Sequence, residues 1–375
     1  MRVLHVSPSV AKTDGGPSEV IRGLVPALIT EGIDVDVFAT SKGWSPQDDD
    51  LEGAGWLHLY PSFGPSSVTF SPALARAVRK RVTNYDLVHV HGLQSHVGSA
   101  AMAAARAAGV PYVVEPHGAL DSYHWQQHRV RKRVWARLLD RANWRGLSGA
   151  VYSSILEEQE GSRVLPAVPA YTWPLGVDES LFEIADWREP ADPPVVLYLG
   201  RITRKKRLDI VLQAMTDDRL RSLGARLVVA GSPDGTLGLD PLEFSRHNGL
   251  NGSVELVGAV DRERRRELLA ESSVFVLPSE DESFGVAVAE AMAAGCAVLT
   301  SSRVGIAHDA HIAGALVVAE IDAEDVASKL ARLLSNRAEA QEMGRRGHAF
   351  ARERYQWTNA AEAARAAYEA VVRRA

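Results

Sequence analysis

A short apolar run followed by a helical pattern, repeated and then restarted, is the feature that most limits what this chain folds into. In the first half, residues 3–6, 35–39, 87–90 and 112–115 are predicted strands, with helices over 18–30, 72–82 and 98–108 between them. That order is the grammar of a parallel sheet with crossover helices. The pattern begins again with strands at 195–199, 226–230, 254–257, 274–277 and 297–300, and helices at 208–215, 262–271 and 286–294, the last closed by Gly295. Pro190, Pro193 and Pro194 interrupt any regular element at the joint, which falls between 176 and 194. The tail from 323 is helical, is broken at 355–357 and ends in an amphipathic helix. The reading is an α/β chain of two doubly wound parallel-sheet domains. Domain one is 1–180 with the last helix, 356–375; domain two is 190–350. Ligands in such domains bind at the carboxyl ends of the strands, so two such edges facing each other form a cleft.

Composition matters at three points. The 375 residues are 46% apolar and 24% charged, enough for two separate cores. Net charge is −5, and no nucleic-acid-binding motif is present, so bulk polyanion binding is not expected. The lone cysteine, Cys296, permits no intrachain disulfide. The first eight residues are too polar for a signal peptide, and Arg106, Gly109 and Pro111 break the Ala-rich stretch 99–114 as a membrane span. These features predict a cytoplasmic protein.

Chemistry concentrates at two strand-to-helix junctions of the second domain. The turn 200–207, Gly-Arg-Ile-Thr-Arg-Lys-Lys-Arg, places five basic residues directly after a strand. Free backbone N–H groups and Arg or Lys charges there hold a diphosphate without a metal. A solvated basic turn explains the same residues equally well. The segment 278–290 puts Glu282 in a loop and Glu290 a turn into the following helix. Carboxylates accept hydrogen bonds from sugar and ribose hydroxyls, and the N–H groups of Ser283, Phe284, Gly285 and Val286 open the helix toward phosphate. An acidic first turn complementing the helix dipole explains Glu282 but not Glu290, which sits among Ala and Val and needs a partner.

These segments resemble the large retaining glycosyltransferase family with the GT-B fold, family 4. The family has a Gly-Arg turn with Lys five residues after the Arg, matched by Arg201 and Lys206. It also has two Glu seven positions apart in a Glu-x-Phe-Gly…Glu-Ala-Met-Ala-x-Gly pattern, matched by Glu282 and Glu290. The resemblance covers essentially the whole chain and sits close to members that build bacterial surface polysaccharides. It implies that Arg201 and Lys206 contact the diphosphate, Glu282 the sugar hydroxyls and Glu290 the ribose. Gly15 and Gly16, in Asp14-Gly-Gly-Pro17, imply a loop facing the donor diphosphate; their spacing is not that of a dinucleotide fingerprint. His117, in Pro116-His-Gly118 at a strand end, matches the family's active-site histidine, although a lone histidine is more often structural. The last helix is implied to cross back onto the first domain. Implied substrates are a UDP- or GDP-sugar and a glycan or lipid-linked acceptor, with no cofactor and no metal. Leu175, Ala297 and Arg207 depart from the family's usual residues, and Arg207 is expected to add charge near the diphosphate.

Other features read as follows. His89 and His91 alternate on a strand with no third ligand at metal spacing, and are taken as structural. Asp48-Asp-Asp50 has no strand leading into it and reads as a solvated charge run rather than a metal motif. The basic stretch Arg129–Arg145 is either a peripheral contact with the inner face of a membrane or, the favoured reading, a surface helix packed by its apolar stripe. A nucleotide-sugar epimerase and a non-catalytic nucleotide- or glycan-binding module are the alternative functions. A phosphorylase lacks its expected lysine motif, and retention of all four motif side chains weighs against the binding module.

Overall fold

The computed structural model describes residues 1–65, 68–120, 135, 140–165, 167–186 and 190–375. The chain divides into two compact units, Met1–Gly176 with Trp357–Ala375, and Val177–Gln356.

The first unit is built on a seven-stranded sheet. Its strands are β1 (Arg2–Ser7), β2 (Asp34–Thr40), β3 (Leu57–Tyr60), β4 (Leu87–His91), β5 (Tyr112–Glu115), β6 (Gly149–Tyr152) and β7 (Ala170–Thr172). They lie in the order β3-β2-β1-β4-β5-β6-β7, and every pairing is parallel. The chain winds outward from β1 to β3, then returns to β4 on the other side, so the topological switch point lies between β1 and β4. Leu4, Val6, Val88, Val90 and Val114 from the central strands pack with Leu74, Val78, Val97 and Met102 from the helices Pro72–Arg81 and His96–Ala108. Ser71 and Ser95 cap those helices, accepting from Leu74 N and Gly98 N at 3.3 and 3.1 Å.

The C-terminal helix, Trp357–Arg374, belongs to this unit and lies against the helix Gly16–Thr30. Two glycines make room for it. A Cβ on Gly23 would come within 2.0 Å of the Trp357 ring, and one on Gly176 within 2.4 Å. Ala360, Ala361, Ala364, Ala367, Tyr368 and Val371 form its buried stripe.

The second unit carries a six-stranded parallel sheet of order β10-β9-β8-β11-β12-β13. Its strands are β8 (Val195–Leu199), β9 (Arg226–Ala230), β10 (Val254–Gly258), β11 (Val274–Leu277), β12 (Ala297–Ser301) and β13 (Val317–Ala319). β8, β11 and β12 are buried at every position, the near-continuous apolar runs of strands covered on both faces. The switch point here lies between β8 and β11.

Strands β3, β6, β7 and β13 were absent from the expected pattern; each has three or four residues and owes its place to the neighbouring strand. The basic stretch Arg129–Arg145 lies outside the described residues except at 135 and 140–145. There Arg141–Arg145 is a short helix, with Trp144 and Asn143 buried. Among the described residues no helix is long and apolar enough to cross a membrane.

Candidate active site

In the second unit, the two predicted junctions flank the switch point. After β8 the chain turns at Gly200, whose φ of +143° excludes most side chains. Gly231 (φ +149°) passes so close that a Cβ on it would sit 2.0 Å from the Gly200 carbonyl oxygen. A one-turn helix, Arg204–Lys206, follows, and Arg207 closes it in the left-handed conformation at φ +54°. Lys206 folds back over the turn: its Nζ would be 2.8 Å from a Cβ on Gly200, and lies 3.3 Å from Glu282 Oε1. The loop after β11 is tied to the basic turn through the Lys205 carbonyl, which accepts from Glu280 N at 2.7 Å and Ser279 Oγ at 3.1 Å. Glu282 N donates to Arg303 O at 3.1 Å, and Gly305 N donates to Glu282 O at 2.9 Å. Glu282 and Lys206 are thus held in place by backbone on both sides.

The electrostatics follow from this proximity. Burial pushes the Glu282 carboxyl up, but Lys206 first, then Lys205 and Arg201, outweigh it and hold the group below the ordinary carboxylate range. Arg201 itself is exposed at the turn. The expectation that Arg207 adds charge near a diphosphate is corrected. Its guanidinium donates to Asp209 at 2.9–3.2 Å and to Glu280 at 2.6 Å, so two carboxylates neutralise it.

Glu290 lies in the helix Val286–Ala293, 5% exposed, and its partner is Arg265 Nη1, 2.5 Å away on the helix Arg262–Glu271. Phe284 is 3% exposed and its ring packs edge-on with Tyr355, centroids 5.4 Å apart, which makes the ring core; its carbonyl accepts from Ile306 N at 3.1 Å. Gly285 caps the helix at φ +99°, where a Cβ would strike Val304 at 2.4 Å. The Val288 and Ala289 N–H groups close onto the Gly285 carbonyl, which leaves the N–H groups of Val286 and Ala287 opening the helix end. Ser283 and Val286 are both partly exposed.

In the first unit, Gly15 (φ +76°) and Gly16 form the turn into the helix Gly16–Thr30, close to the carboxyl end of β1. Asp48 organises the chain leading into this turn. It is fully buried, accepts from Lys12 N at 2.9 Å and Ser45 N at 3.0 Å, and pairs with Arg22. The reading of Asp48 as part of a solvated run is therefore corrected; only tertiary structure brings Lys12 and Arg22 to it. Lys42 Nζ donates to Asp14 Oδ1 at 3.0 Å beside the same turn.

His117, next after Pro116 at the end of β5, is left-handed (φ +53°), and its side chain is only 7% exposed. Its Nε2 meets His91 Nδ1 at 3.0 Å, and its Nδ1 lies 3.5 Å from Glu115 Oε1. His5, which the sequence spacing did not join to His89 and His91, completes the group, with Nδ1 2.9 Å from His91 Nε2. Two triplets, His5/His89/His91 and His91/Glu115/His117, have donor atoms within 4.8 Å, a spacing a metal ion can bridge. The contacts at 2.9 and 3.0 Å are also hydrogen-bond lengths, which a hydrogen between the nitrogens satisfies.

The family described as "Glycosyltransferase Family 4" matches residues 14–181, and "Glycosyl transferases group 1" matches residues 180–350. The chain belongs to this glycosyltransferase family. It is 26% identical to the GDP-mannose:cellobiosyl-diphosphopolyprenol alpha-mannosyltransferase of Xanthomonas oryzae, over 95% of this chain and 93% of that one. It is 27% identical to the D-inositol 3-phosphate glycosyltransferase of Nocardiopsis dassonvillei, over 89% and 86%. The fold is shared with the sucrose-phosphate synthase of Thermosynechococcus elongatus, at TM-score 0.76 and 21% identity over 100% of both chains. It is shared also with Anabaena HepE in complex with UDP and glucose, at TM-score 0.76 and 17% identity over 99% of this chain and 100% of that one.

Proposed function

We propose that this glycosyltransferase moves a sugar from a UDP- or GDP-linked donor to a hydroxyl of a glycan or lipid-linked acceptor, with retention, in bacterial surface-glycan synthesis. The observation that carries this reading is the pairing of Lys206 with Glu282 at 3.3 Å across the β8/β11 switch point, with Arg201 alongside. A cation and a carboxylate held side by side suit a ligand that is an anionic diphosphate at one end and a polyol at the other. Relatives whose names specify a GDP-mannose donor and a diphosphopolyprenol-linked acceptor support it, as does a structural neighbour that binds UDP and glucose.

In this reading Arg201 and Lys206 bind the diphosphate. Charge grows on it as the bond from the anomeric carbon to phosphate oxygen breaks, so these cations act most strongly in the transition state. Glu282 orients sugar hydroxyls. Glu290, set by Arg265, takes the ribose, and the backbone from Ser283 to Val286 approaches the phosphates. In the first domain we assign the Gly15–Gly16 turn to phosphate and His117 to orienting the sugar. The acceptor oxygen bonds to the anomeric carbon on the face the diphosphate leaves, and its proton passes to the departing phosphate oxygen. No metal is assigned a role. The enzyme works at the cytoplasmic face of the membrane, where a lipid-linked acceptor is presented.

The test incubates purified protein with UDP-glucose or GDP-mannose and a polyprenyl-diphosphate-linked glycan. We expect a glycosylated product whose new linkage keeps the donor's anomeric configuration. An inverted linkage refutes retention, and conversion of the donor without acceptor replaces transfer by epimerisation.

A further inference from the structure

Three neighbouring strands of the first unit's sheet present polar side chains where buried parallel strands are normally apolar. His5 on β1 stands in register with His89 on β4, and His91 stands in register with Glu115 on β5. The i, i+2 spacing of His89 and His91 puts both on one face. Tyr368, from the C-terminal helix, covers them. All five are 0–1% exposed.

The protons in this cluster can be counted. Burial pushes the pKa of His5, His89, His91 and His117 down, so each imidazole is neutral, with one N–H and one lone pair. Tyr368 Oη lies 2.7 Å from His89 Nδ1 and, as the donor, leaves His89 Nε2–H facing Glu115 Oε2 at 3.3 Å. His5 Nδ1–H donates to His91 Nε2 at 2.9 Å, and His91 Nδ1–H donates to His117 Nε2 at 3.0 Å. That leaves His117 Nδ1–H facing Glu115 Oε1 at 3.5 Å. The Glu115 contacts lie a few tenths of an ångström beyond hydrogen-bond length, and Oε2 also lies 3.4 Å from His91 Nδ1, whose hydrogen points to the nearer His117 Nε2 at 3.0 Å. With Glu115 ionised, reversing either line sets a lone pair of His89 or His117 against the carboxylate; a protonated Glu115 tolerates one reversed line, so the assignment belongs to pH above its pKa of about 7.

We propose that Glu115 is the positioning residue of His117: its carboxylate gathers two converging lines of N–H donors, His5–His91–His117 and Tyr368–His89, and fixes His117 as the neutral Nδ1–H tautomer. His117 then has no nitrogen to offer as a base. Its contribution is shape, a strained left-handed turn at the end of β5 whose ring is anchored from below. The effect on turnover rests on the placement of His117 in the proposed site; the tautomer does not.

The full-length protein, labelled with ¹⁵N-histidine at pH 8, gives the test through long-range ¹H–¹⁵N spectra. We expect Nδ1–H for His5, His91 and His117 and Nε2–H for His89. Tyr368→Phe should disturb His89 and leave the His117 tautomer unchanged. Glu115→Gln, whose amide adds donors, should flip or mix the tautomers of His117 and lower kcat roughly 10- to 100-fold with little change in donor KM, the scale known for losing a carboxylate that orients a metal-ligating histidine. A wild-type His117 that is an Nε2–H tautomer or an imidazolium overturns the proposal, as does one equivalent of a transition metal bound to these nitrogens. If Glu115→Gln fails to fold, the wild-type spectrum still decides. Expected tautomers with undiminished Glu115→Gln turnover would overturn the catalytic half and remove His117 from the reaction, while leaving the Lys206 reading to its own test.

Discussion

Lys206 and Glu282 depend on each other. Lys206 is the main reason the Glu282 carboxyl stays ionised despite burial, and Glu282 holds the ammonium over the Gly200 turn. Lys206→Ala should lower kcat by about 100- to 1,000-fold, the scale of losing one group that stabilises transition-state charge. The acid limb of its residual pH–rate profile should move to higher pH, because the Glu282 pKa rises once the cation is gone; a stopped assay across pH 4–8 checks both. Glu115 carries the opposite sign. Burial raises its pKa from 4.5 to about 7, so the folded state binds a proton that the unfolded chain has released. The first unit should therefore lose stability as pH rises through that window, and Glu115→Gln should flatten the slope in urea titrations at several pH values. The placement of Arg201, Lys206, Glu282 and Glu290 at two strand-to-helix junctions was legible in sequence because each pair sits within one local segment after a strand. Asp48 and the Arg207 ion pairs were not, since their partners arrive from other segments. His5 and Glu115 lie 110 positions apart and meet only through the β1-β4-β5 register.

At the scale of elements, several strands and helices were readable to their ends: 226–230, 262–271 and 274–277 agree residue for residue. β3, β6, β7 and β13 were not, because pairing rather than local preference makes them strands. What positions the site is the turns between elements. Gly231→Ala drives a methyl into the Gly200 carbonyl and should destabilise the second unit by about 3 kcal/mol or more, overpacking compounded by a φ that alanine resists. Asp48→Ala removes the carboxylate that holds Lys12 N, Ser45 N and Arg22 around the chain entering the Gly15 turn. We expect a loss of roughly 3–5 kcal/mol from breaking this buried pair, read by chemical denaturation.

For the whole molecule, the two doubly wound sheets were anticipated by the restart of the strand–helix pattern, and the returning helix by the family resemblance. The switch points then say where each sheet does chemistry, β1/β4 in one and β8/β11 in the other. Deleting 357–375 strips the first unit of Trp357 and Tyr368 while leaving the second unit's sheet intact. Hydrogen exchange on that variant should show protection lost across β1–β5 and retained across β8–β13. The most direct measurement is calorimetric titration of wild type and Lys206→Ala with UDP, GDP and the corresponding monophosphates. One diphosphate should bind the wild type at least about tenfold more tightly than its monophosphate, a difference of ~1.4 kcal/mol, and Lys206→Ala should erase that difference. Binding of monophosphate and diphosphate with equal affinity in the wild type, or a preference unchanged in Lys206→Ala, would contradict a diphosphate site at this turn.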